Sequence, residues 1–306
     1  MVGMDMIKFA VFTDLHYDHI HDGLQRMKDF IAQISETDVD FIVELGDFCT
    51  PKQENRKLLD LLDRTGKPHY HLMGNHDTDL FSKEKSLSFL KMDNSYYSYN
   101  YGNVKFIVLD TCFIQHNGVY EPYSKRNYDA TNGVYPVIPK DEISWLENQL
   151  SVNSPFIVIF SHHSLENDFM QRGVANRDEV QTLISRAIAS GKKVLLCING
   201  HDHADSVRKL GQTYYFGLNA MSYIWFGPEV EHFCYSAQIH KQYPYLKDLV
   251  LYREGLYAII TITANGYVEI QGMEGNYQTV SPKELGMEGL WNGREITPNI
   301  SSFNIS

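Results

Sequence analysis

The sequence contains four short apolar runs, each of which stops at a polar loop. The runs cover residues 7–13, 39–45, 156–160 and 194–198, and they are followed by Asp14, by Gly46-Asp47, by Ser161-His162-His163 and by Asn199-Gly200-His201. Apolar runs of this length, bounded by polar residues, are typical of buried strands. We therefore predict four strands whose carboxyl ends carry polar side chains.

Helix-like stretches lie between these runs. Residues 24–34, 143–150 and 180–188 repeat apolar side chains at three- and four-residue spacing, as an amphipathic helix does. Alternation of strands and helices predicts a parallel sheet. Ligands bind to open sheets of this kind beyond the carboxyl ends of the strands, so the polar loops are the candidate site.

After Gly200 the sequence changes to short strand candidates without helices between them. Residues 213–217 and 257–263 are examples, and Asn265-Gly266 predicts a hairpin after the second of them. A second, more antiparallel sheet would accommodate these strands. We expect an α/β fold, a layered α/β/β/α sandwich of two mixed sheets flanked by helices, over residues 6–280, with a peripheral tail at 281–306.

The chain is acidic, with a formal net charge of −11 over 306 residues. Proteins that bind nucleic-acid polymers normally present a basic patch, so we expect no such polymer as a partner. No apolar run is long enough to span a bilayer, so we expect no membrane partner either. A small anionic substrate remains compatible, because bound cations would add positive charge at its site. The oligomeric state is left open.

The cysteines and the N-terminus bear on the cellular compartment. Cys49, Cys112, Cys197 and Cys234 are too scattered for a disulfide framework or for close metal-ligand spacing. Residues 1–6 lack the basic segment and the apolar run of a signal peptide. We expect a cytoplasmic protein.

Five short motifs occur in order between residues 14 and 203. They are Asp14-Leu15-His16, Gly46-Asp47, Gly74-Asn75-His76-Asp77, His162 within Ser-His-His, and Gly200-His201-Asp202-His203. Each alone could be a helix cap, a turn or a satisfied polar group. The full set, in this order and at strand ends, resembles the signature of the calcineurin-like metallophosphoesterase family over residues 9–203.

Aspartate, asparagine and histidine ligands without a thiolate suit manganese, iron or zinc. The resemblance implies two such divalent transition-metal ions, one held by Asp14, His16 and His203, the other by Asn75, His162 and His201, with Asp47 bridging. Two ions about 3.5–4 Å apart polarise phosphate oxygens and make a bridging water into a hydroxide nucleophile. In-line attack of that hydroxide would hydrolyse a phosphate ester.

His76 receives a different role from the resemblance. Together with Asn75 it would contact the phosphate, and as a general acid it would protonate the leaving group, which is typically worth ~10²–10⁴ in rate. Asp77 resembles the carboxylate that orients this imidazole. A helix-capping carboxylate remains the alternative for Asp77.

Other histidines match no ligand of the family. His19 and His21 are expected to be surface loop residues. His69 and His71 alternate before Gly74, so they should share one strand face as polar core groups or as support for the site. His163 neighbours His162 where the family continues with proline and this chain has Ser164; we assign His162 as the ligand.

Departures from the signature argue against several branches of the family. Phe48-Cys49-Thr50-Pro51 lacks the Asp-Arg-Gly of protein phosphatases, and Thr50 stands where purple acid phosphatases have an iron-binding tyrosine. The chain after His203 leaves little room for the substrate domain of 5′-nucleotidases. Residues 143–150 resemble a Trp-Leu element of the bacterial phosphodiesterase-like branch. We expect a small phosphodiester as substrate, with phosphomonoester hydrolysis or nucleotide pyrophosphatase activity as the alternatives.

Two aromatic stretches are candidates for substrate contacts. Residues 111–139 form a long connection that contains Tyr120, Tyr123, Tyr128 and Tyr135 beside Lys125 and Arg126, and long connections of this kind are often lids. The second stretch contains Tyr223, Trp225, Phe226, Phe233 and Tyr235. Its rings could stack on a nucleobase, worth ~1–3 kcal/mol per base, or simply pack between the sheets.

A rival hypothesis from another class is a non-catalytic interaction scaffold with the same fold. Such scaffolds usually have incomplete ligand sets. In this chain all seven implied ligands and His76 are present. The sequence therefore favours an enzyme.

Overall fold

The computed structural model describes residues 6–129, 135–152, 154–167 and 169–306. Within these residues the α-helices are α1 (Gly23–Ser35), α2 (Arg56–Asp63), α3 (Lys83–Leu90), α4 (Lys140–Ser151), α5 (Arg177–Ala189) and α6 (Ala237–Gln242). The strands in the same part of the chain are β1 (Met6–Phe12), β2 (Phe41–Glu44), β3 (His69–His71), β4 (Tyr97–Tyr101), β5 (Val104–Val108), β6 (Phe113–His116), β7 (Val119–Pro122), β8 (Phe156–Ser161), β9 (Lys193–Asn199), β10 (Ser206–Leu210), β11 (Thr213–Gly217), β12 (Tyr223–Trp225), β13 (Leu249–Leu251), β14 (Ala258–Thr263), β15 (Val268–Gln271), β16 (Leu290–Trp291), β17 (Arg294–Glu295) and β18 (Phe303–Ile305).

Two six-stranded mixed sheets form the centre of the molecule. The first has the order β18-β15-β14-β1-β2-β3, and the second has the order β10-β11-β9-β8-β5-β4. β1, β2 and β3 are parallel to one another, as are β5, β8, β9 and β11 in the second sheet. The parallel strands of each sheet therefore end at one edge.

The sheets face each other across an apolar core, and helices cover their outer faces. On β1, Phe9 belongs to the core between the sheets and stacks on Phe41 of β2 at 5.0 Å. Phe12 of the same strand packs outward against Phe30 of α1. A strand that is buried on both faces reads as a continuous apolar run, which is why these strands were visible in the sequence.

The second sheet is covered in the same way by α4 and α5. Ile159 of β8 lies in one apolar cluster with Leu146 of α4 and Ile184 of α5. The layers are thus helix, sheet, sheet, helix. The predicted α/β/β/α sandwich of two mixed sheets is confirmed.

The predicted pairing of the later strands was wrong. These strands do not form their own antiparallel sheet: β14 pairs antiparallel with β1 in the first sheet, whereas β11 pairs parallel with β9 in the second. Strand pairing is set by contacts between distant parts of the chain, which local apolar patterns do not report. The predicted hairpin is present, with Gly266 at a φ of 84° between β14 and β15.

The segment 281–306, expected to be peripheral, contributes to the main body. β18 adds to the edge of the first sheet beside β15, and Trp291, Ile300 and Ile305 are buried in the core between the sheets. No helix in the described part of the chain combines the length and the apolar character needed to cross a bilayer.

Candidate metal centre

The candidate centre lies where the carboxyl ends of the two sheets meet. The loop after β1 carries Asp14 and His16, and the loop after β2 carries Asp47. His162 directly follows β8 in the second sheet, and the loop after β9 carries His201 and His203. Backbone hydrogen bonds link these loops, among them His16 N to Asp47 O at 2.9 Å and Gly200 N to His162 O at 3.1 Å.

Most of these loop residues adopt a left-handed backbone that non-glycine residues normally avoid. The φ values are 53° at Asp14, 45° at His16, 58° at Asp47, 67° at His201 and 49° at His203. Each such residue costs on the order of 1–3 kcal/mol and persists only where its surroundings enforce it, most often at functional sites. Backbone strain is therefore present at five of the residues that the sequence motifs single out.

Two glycines of the motifs permit the close approach of these loops. A Cβ at Gly74 would clash with the backbone nitrogen and the carboxylate of Asp47. A Cβ at Gly200 would clash with the side chain of Thr13 and would lie 2.6 Å from Asp14 Oδ2. Only glycine fits at these positions because the carboxylates lie directly against the neighbouring backbone.

The first group of candidate ligand atoms comes from Asp14, His16 and His203. The Nε2 atoms of His16 and His203 lie 3.1 Å apart, and they lie 3.4 Å and 3.3 Å from Asp14 Oδ1. His203 donates its Nδ1 proton to the backbone oxygen of Tyr223 at 2.8 Å, which leaves its Nε2 lone pair free. Fixing one ring nitrogen by a backbone carbonyl is how metal-binding histidines are usually oriented.

The second group of candidate ligand atoms comes from Asn75, His162 and His201. His162 Nε2 lies 3.2 Å from Asn75 Oδ1, and the Nδ1 atom of this histidine donates to the backbone oxygen of Leu45 at 2.7 Å. The rings of His162 and His201 are 5.1 Å apart. His163 lies beside them, 4.2 Å from the ring of His201, with Thr111 Oγ1 2.7 Å from its Nδ1.

Asp47 lies between the two groups. Its Oδ2 atom is 3.6 Å from His16 Nε2 and 3.2 Å from His162 Nε2, and its Oδ1 atom accepts a hydrogen bond from the backbone nitrogen of His76. A single carboxylate oxygen therefore faces ligand atoms of both groups. Asp47 would therefore be the residue that could help to hold an ion in each group.

The donor atoms fit cations. Asp14 Oδ1 and His201 Nδ1 are fully buried and have no hydrogen-bond partner among the described residues. Buried polar atoms without a partner are rare and costly, and an ion is one of the few groups that satisfies them. All the donors are oxygen or imidazole nitrogen, which suits manganese, iron or zinc.

Burial and mutual charge set the protonation of these groups. Burial lowers the pKa of His16 to about 4, so its imidazole is neutral and can act as a ligand. Burial also opposes ionisation of Asp14 and Asp47, but the surrounding histidines override it and hold the pKa of both carboxyls well below the usual range. For His162 burial is outweighed by Asp47, which raises its pKa to about 10. A cation at the site would take the place of that proton.

His76 lies at the rim of the centre and is held by Asp79. Its Nδ1 atom is 2.9 Å from Asp79 Oδ2, and its ring packs edge-on against His16 at 5.0 Å. Arg126 donates to Asp79 Oδ2 at 2.7 Å, and the hydroxyl of Tyr128 donates to Asp79 Oδ1. Burial opposes protonation of His76, but Asp47 and Asp79 outweigh it and raise the pKa of His76 above its ordinary value.

The prediction that Asp77 orients His76 was wrong. Both oxygens of Asp77 accept hydrogen bonds from backbone N–H groups, those of Asp47, Phe48, Cys49 and Gly74, at 2.9–3.3 Å. Asp77 therefore fixes the two motif loops to each other. The carboxylate beside the imidazole is Asp79, three residues after His76 in the same helical turn.

We expect Asp77→Ala to lower the free energy of unfolding by about 3 kcal/mol or more, because it leaves several buried N–H groups without an acceptor. Asp60→Ala on the exposed face of α2 is the control, with a change below about 0.5 kcal/mol. Urea unfolding measures both. An Asp77→Ala protein as stable as the parent but slower in catalysis would instead favour a catalytic role.

Two other expectations for histidines have different outcomes. His69 and His71 share a strand face, with their ring nitrogens 2.9 Å apart, and His71 contacts Glu44 at 3.0 Å, as predicted for polar core groups. His19 is not the surface residue that was predicted: its ring stacks on His16 at 5.1 Å. Its ligand atoms come within 4.8 Å of those of His76 and Asp79. We assign no third ion there, because Arg126 and Tyr128 already occupy the Asp79 oxygens.

A cavity of about 440 Å³ opens beside the centre. Its lining includes Asn75, His76, Tyr123, Arg126, Tyr128, His163, Arg172, His201, Trp225, Phe226, Tyr245 and Trp291. This volume lies within the usual range of small-molecule sites. The segment predicted to be a lid contributes Tyr123, Arg126 and Tyr128; its residues 130–134 lie outside the described part of the chain.

Some residues of the second aromatic stretch lie at the cavity and others pack in the protein interior. Trp225 and Phe226 line the cavity, whereas Tyr223 is fully buried and Phe233 is exposed.

Sequence reasoning missed Asp79, Arg172 and Tyr245 altogether. The only signal for Asp79 was its position one helical turn after His76; nothing local marked the other two.

Comparisons with known proteins agree with this geometry. A family model described as calcineurin-like phosphoesterase matches residues 7–205. A manganese-dependent ADP-ribose/CDP-alcohol diphosphatase from Oryza sativa subsp. japonica is 23% identical over 254 residues, which covers 65% of this chain and 78% of the relative.

Solved structures share the fold at low sequence identity. A dimetal phosphatase from Danio rerio has a TM-score of 0.59 at 16% identity, covering 90% of this chain and 99% of its own. GAP50, described as the anchor in the inner membrane complex of Plasmodium, has a TM-score of 0.55 at 17% identity, covering 91% and 90%. At these identities the likeness shows the fold alone.

The match of the family model covers well over half of the chain and includes all five motifs, which the fold brings together at one edge of the two sheets. The chain belongs to the calcineurin-like phosphoesterase family and is a metal-dependent phosphoester hydrolase.

Proposed function

We propose that this protein hydrolyses small phosphodiesters at a dinuclear centre held by Asp14, His16, Asp47, Asn75, His162, His201 and His203. The observation that carries the proposal is the convergence of buried, unpartnered donor atoms from both sheets beside a cavity of about 440 Å³. Bound divalent ions would polarise the phosphate oxygens and activate water. The name of the rice relative supports manganese as the first metal to test.

The remaining site residues have distinct proposed roles. Asn75 and His76 line the cavity next to the ligand atoms, and we assign them to binding the phosphate. Asp79 occupies His76 Nδ1, so Nε2 is the nitrogen left to donate a proton to the leaving oxygen. The elevated pKa of His76 supports this role, because a general acid must carry its proton at the working pH.

Hydrolysis of a diphosphate bond is the second candidate function. The rice relative is named for two substrates that contain such a bond. The cavity is also larger than one phosphate needs and carries aromatic rings together with arginines. Phosphomonoester hydrolysis has no comparable observation in its favour.

A non-catalytic scaffold remains the rival from another class, since the fold also occurs in a protein described as an anchor. The complete set of ligands supports an enzyme instead. A scaffold has no need to retain five strained residues whose side chains converge on one point.

The experiment is a substrate panel with protein loaded with manganese, iron or zinc. Bis-p-nitrophenyl phosphate, p-nitrophenyl phosphate, cyclic nucleotides, glycerophosphodiesters and ADP-ribose are compared by kcat/KM, with Asp14→Asn protein as the control for contaminating hydrolases. We expect diesters to be cleaved faster than the monoester. Absence of hydrolysis with every metal would refute the enzymatic proposal, and a preference for the monoester would refute the diester assignment.

We also propose a cytoplasmic location. All four cysteines are free thiols, three of them buried, which supports a reducing compartment. Fractionation of the source cells tests this proposal.

A further inference from the structure

A chain of hydrogen-bonded titratable side chains runs from the back of the candidate metal centre to the surface. Glu44 is the last residue of β2, and its Oε1 atom accepts a hydrogen bond from Gly46 N at 2.6 Å. Its Oε2 atom lies 3.0 Å from His71 Nδ1. His71 Nε2 lies 2.9 Å from His69 Nδ1, and His69 Nε2 lies 3.0 Å from Asp63 Oδ1. We call the side chains of Glu44, His71, His69 and Asp63 the relay.

The outer end of the relay is an ionised carboxylate. Asp63 ends α2, its side chain is 44% exposed, and its Oδ2 atom lies 3.0 Å from Lys91 Nζ. The hydrogen bonds from His69 and Lys91 lower the pKa of Asp63 below its usual value. A carboxylate can only accept hydrogen bonds. His69 therefore donates to Asp63 from its Nε2 atom.

The direction of each further hydrogen bond follows from this one. Burial and the neighbouring His71 lower the pKa of His69, and burial lowers the pKa of His71 to about 4, so both rings are neutral. A neutral His69 with its proton on Nε2 accepts at Nδ1, and the donor is His71 Nε2. His71 Nδ1 then has no proton. Its contact with Glu44 Oε2 is a hydrogen bond only if Glu44 carries the proton.

A neutral Glu44 is consistent with its surroundings. The residue is 1% exposed, and an ionised carboxyl in such a position is costly. Burial is the main cause that raises the pKa of Glu44 well above its usual range, and Asp14 and Asp47 add to the effect. The other titratable groups that act electrostatically on the relay include Cys49, Asp77, Lys91, Tyr97 and His162.

The same three protons can be arranged in a second way. The proton on Glu44 Oε2 moves to His71 Nδ1, and the proton on His71 Nε2 moves to His69 Nδ1. This leaves a Glu44 carboxylate, a neutral His71 and a His69 imidazolium next to Asp63. No proton is gained or lost, and every hydrogen bond of the relay is kept. Positive charge at the metal centre favours the second arrangement, because it places a negative charge near the cations.

We propose that Glu44 is a neutral acid in the metal-free protein and that the relay moves its proton to His69 when cations occupy the centre. This inference rests on the proposed dinuclear centre and adds a device that regulates its charge. Glu44 is a positioning residue, because it acts through Gly46 N and the turn that carries Asp47 and is not a ligand. The metal-free centre avoids one more buried negative charge, and the occupied centre gains it.

Glu44→Gln tests the proposal because glutamine imitates only the neutral acid. Its amide oxygen can accept from Gly46 N, and its amide nitrogen can donate to His71 Nδ1. We expect the metal-free variant to unfold at the same urea concentration as the parent. Calorimetry at neutral pH should show manganese binding about 10- to 100-fold weaker, the usual effect of losing a group that supports metal ligands.

Two further variants sharpen this measurement. His69→Gln can accept from His71 and donate to Asp63 but cannot take up a proton, so it should weaken manganese binding in the same range. Glu147→Gln, at a side chain of α4 that is 60% exposed, removes the same charge and should bind manganese as the parent does. A metal-free Glu44→Gln protein that is clearly less stable than the parent would contradict a neutral Glu44.

Nitrogen-15 NMR of protein labelled at histidine gives a readout that does not depend on turnover. In the metal-free protein the proton of His71 should be on Nε2, and His69 should be neutral. In protein loaded with zinc, which is diamagnetic, His71 should carry its proton on Nδ1 and His69 should carry protons on both nitrogens. The same protonation of both rings in the two states would overturn the proposal.

The outcomes separate this inference from the proposed function. Parent protein that binds no metal and hydrolyses no phosphate ester would refute the dinuclear centre itself. Parent protein that binds two ions and cleaves diesters, while Glu44→Gln and His69→Gln bind manganese equally tightly, would refute the relay alone.

Discussion

Asp47→Asn is expected to lower kcat/KM by roughly 10³-fold or more, because the change removes the carboxylate that faces both groups of ligand atoms. Asp47 Oδ2 lies 3.6 Å from His16 Nε2 and 3.2 Å from His162 Nε2, and an amide in its place would be a weaker ligand for both of the proposed ions. Each metal stabilises the transition-state charge by several kcal/mol, and about 1.4 kcal/mol corresponds to a factor of ten. Steady-state hydrolysis of bis-p-nitrophenyl phosphate measures the loss.

His16→Ala is the comparison that separates bridging from simple ligation. His16 belongs to one group of ligands only, so excess manganese should restore part of its activity, whereas Asp47→Asn should not recover. The metal content of both variants is measured alongside. Equal losses at saturating manganese, or a fully active Asp47→Asn protein, would remove the bridging role.

His76→Ala should slow hydrolysis most for substrates with poor leaving groups, because the proposed general acid protonates the departing oxygen. For an alkyl ester the deficit should approach the upper part of the ~10²–10⁴ range, and for a p-nitrophenyl ester it should be clearly smaller. The variant should keep both metals, since His76 is outside the two ligand groups. Rates for both esters and elemental analysis are measured on the same preparation.

Asp79→Asn is the companion variant. Asp79 acts through His76, which it contacts at 2.9 Å, so its loss should show the same dependence on the leaving group with a smaller deficit. Equal deficits of His76→Ala for both esters would point to phosphate positioning instead of proton donation. A lost metal would mean that His76 is a ligand.

The candidate ligand residues could be picked out from the sequence because most of them lie in loops that follow apolar strands. A strand buried on both faces is apolar throughout, so the polar residues that follow it stand out, as Asp14 does shortly after β1 and His162 does directly after β8. The parallel strands bring these ends to one edge. The order of the five motifs along the chain then produces the resemblance to the calcineurin-like metallophosphoesterase family. The fold class and the candidate ligands could therefore be predicted from the sequence alone.

The surroundings of the general acid could not be predicted in the same way. Asp77 and Asp79 are both near His76 in sequence, and only the turn of the backbone decides that Asp77 faces the N–H groups and Asp79 faces the imidazole. Arg126 reaches Asp79 from 47 residues away along the chain. Contacts of this kind depend on the path of the connection between β5 and α4, which has no periodic pattern. The later strands were assigned to the wrong sheet for a related reason: their partners, β1 for β14 and β9 for β11, are also set by contacts that local sequence patterns do not report.

The central claim is that two transition-metal ions bind between these loops, and anomalous diffraction from crystals grown with manganese tests it most directly. We predict two anomalous peaks per chain about 3.5–4 Å apart, with Asp47 between them. Asp14, His16 and His203 should surround one peak, and Asn75, His162 and His201 should surround the other. A single peak in metal-replete protein, or peaks whose ligands lie mainly outside these seven residues, would contradict the account.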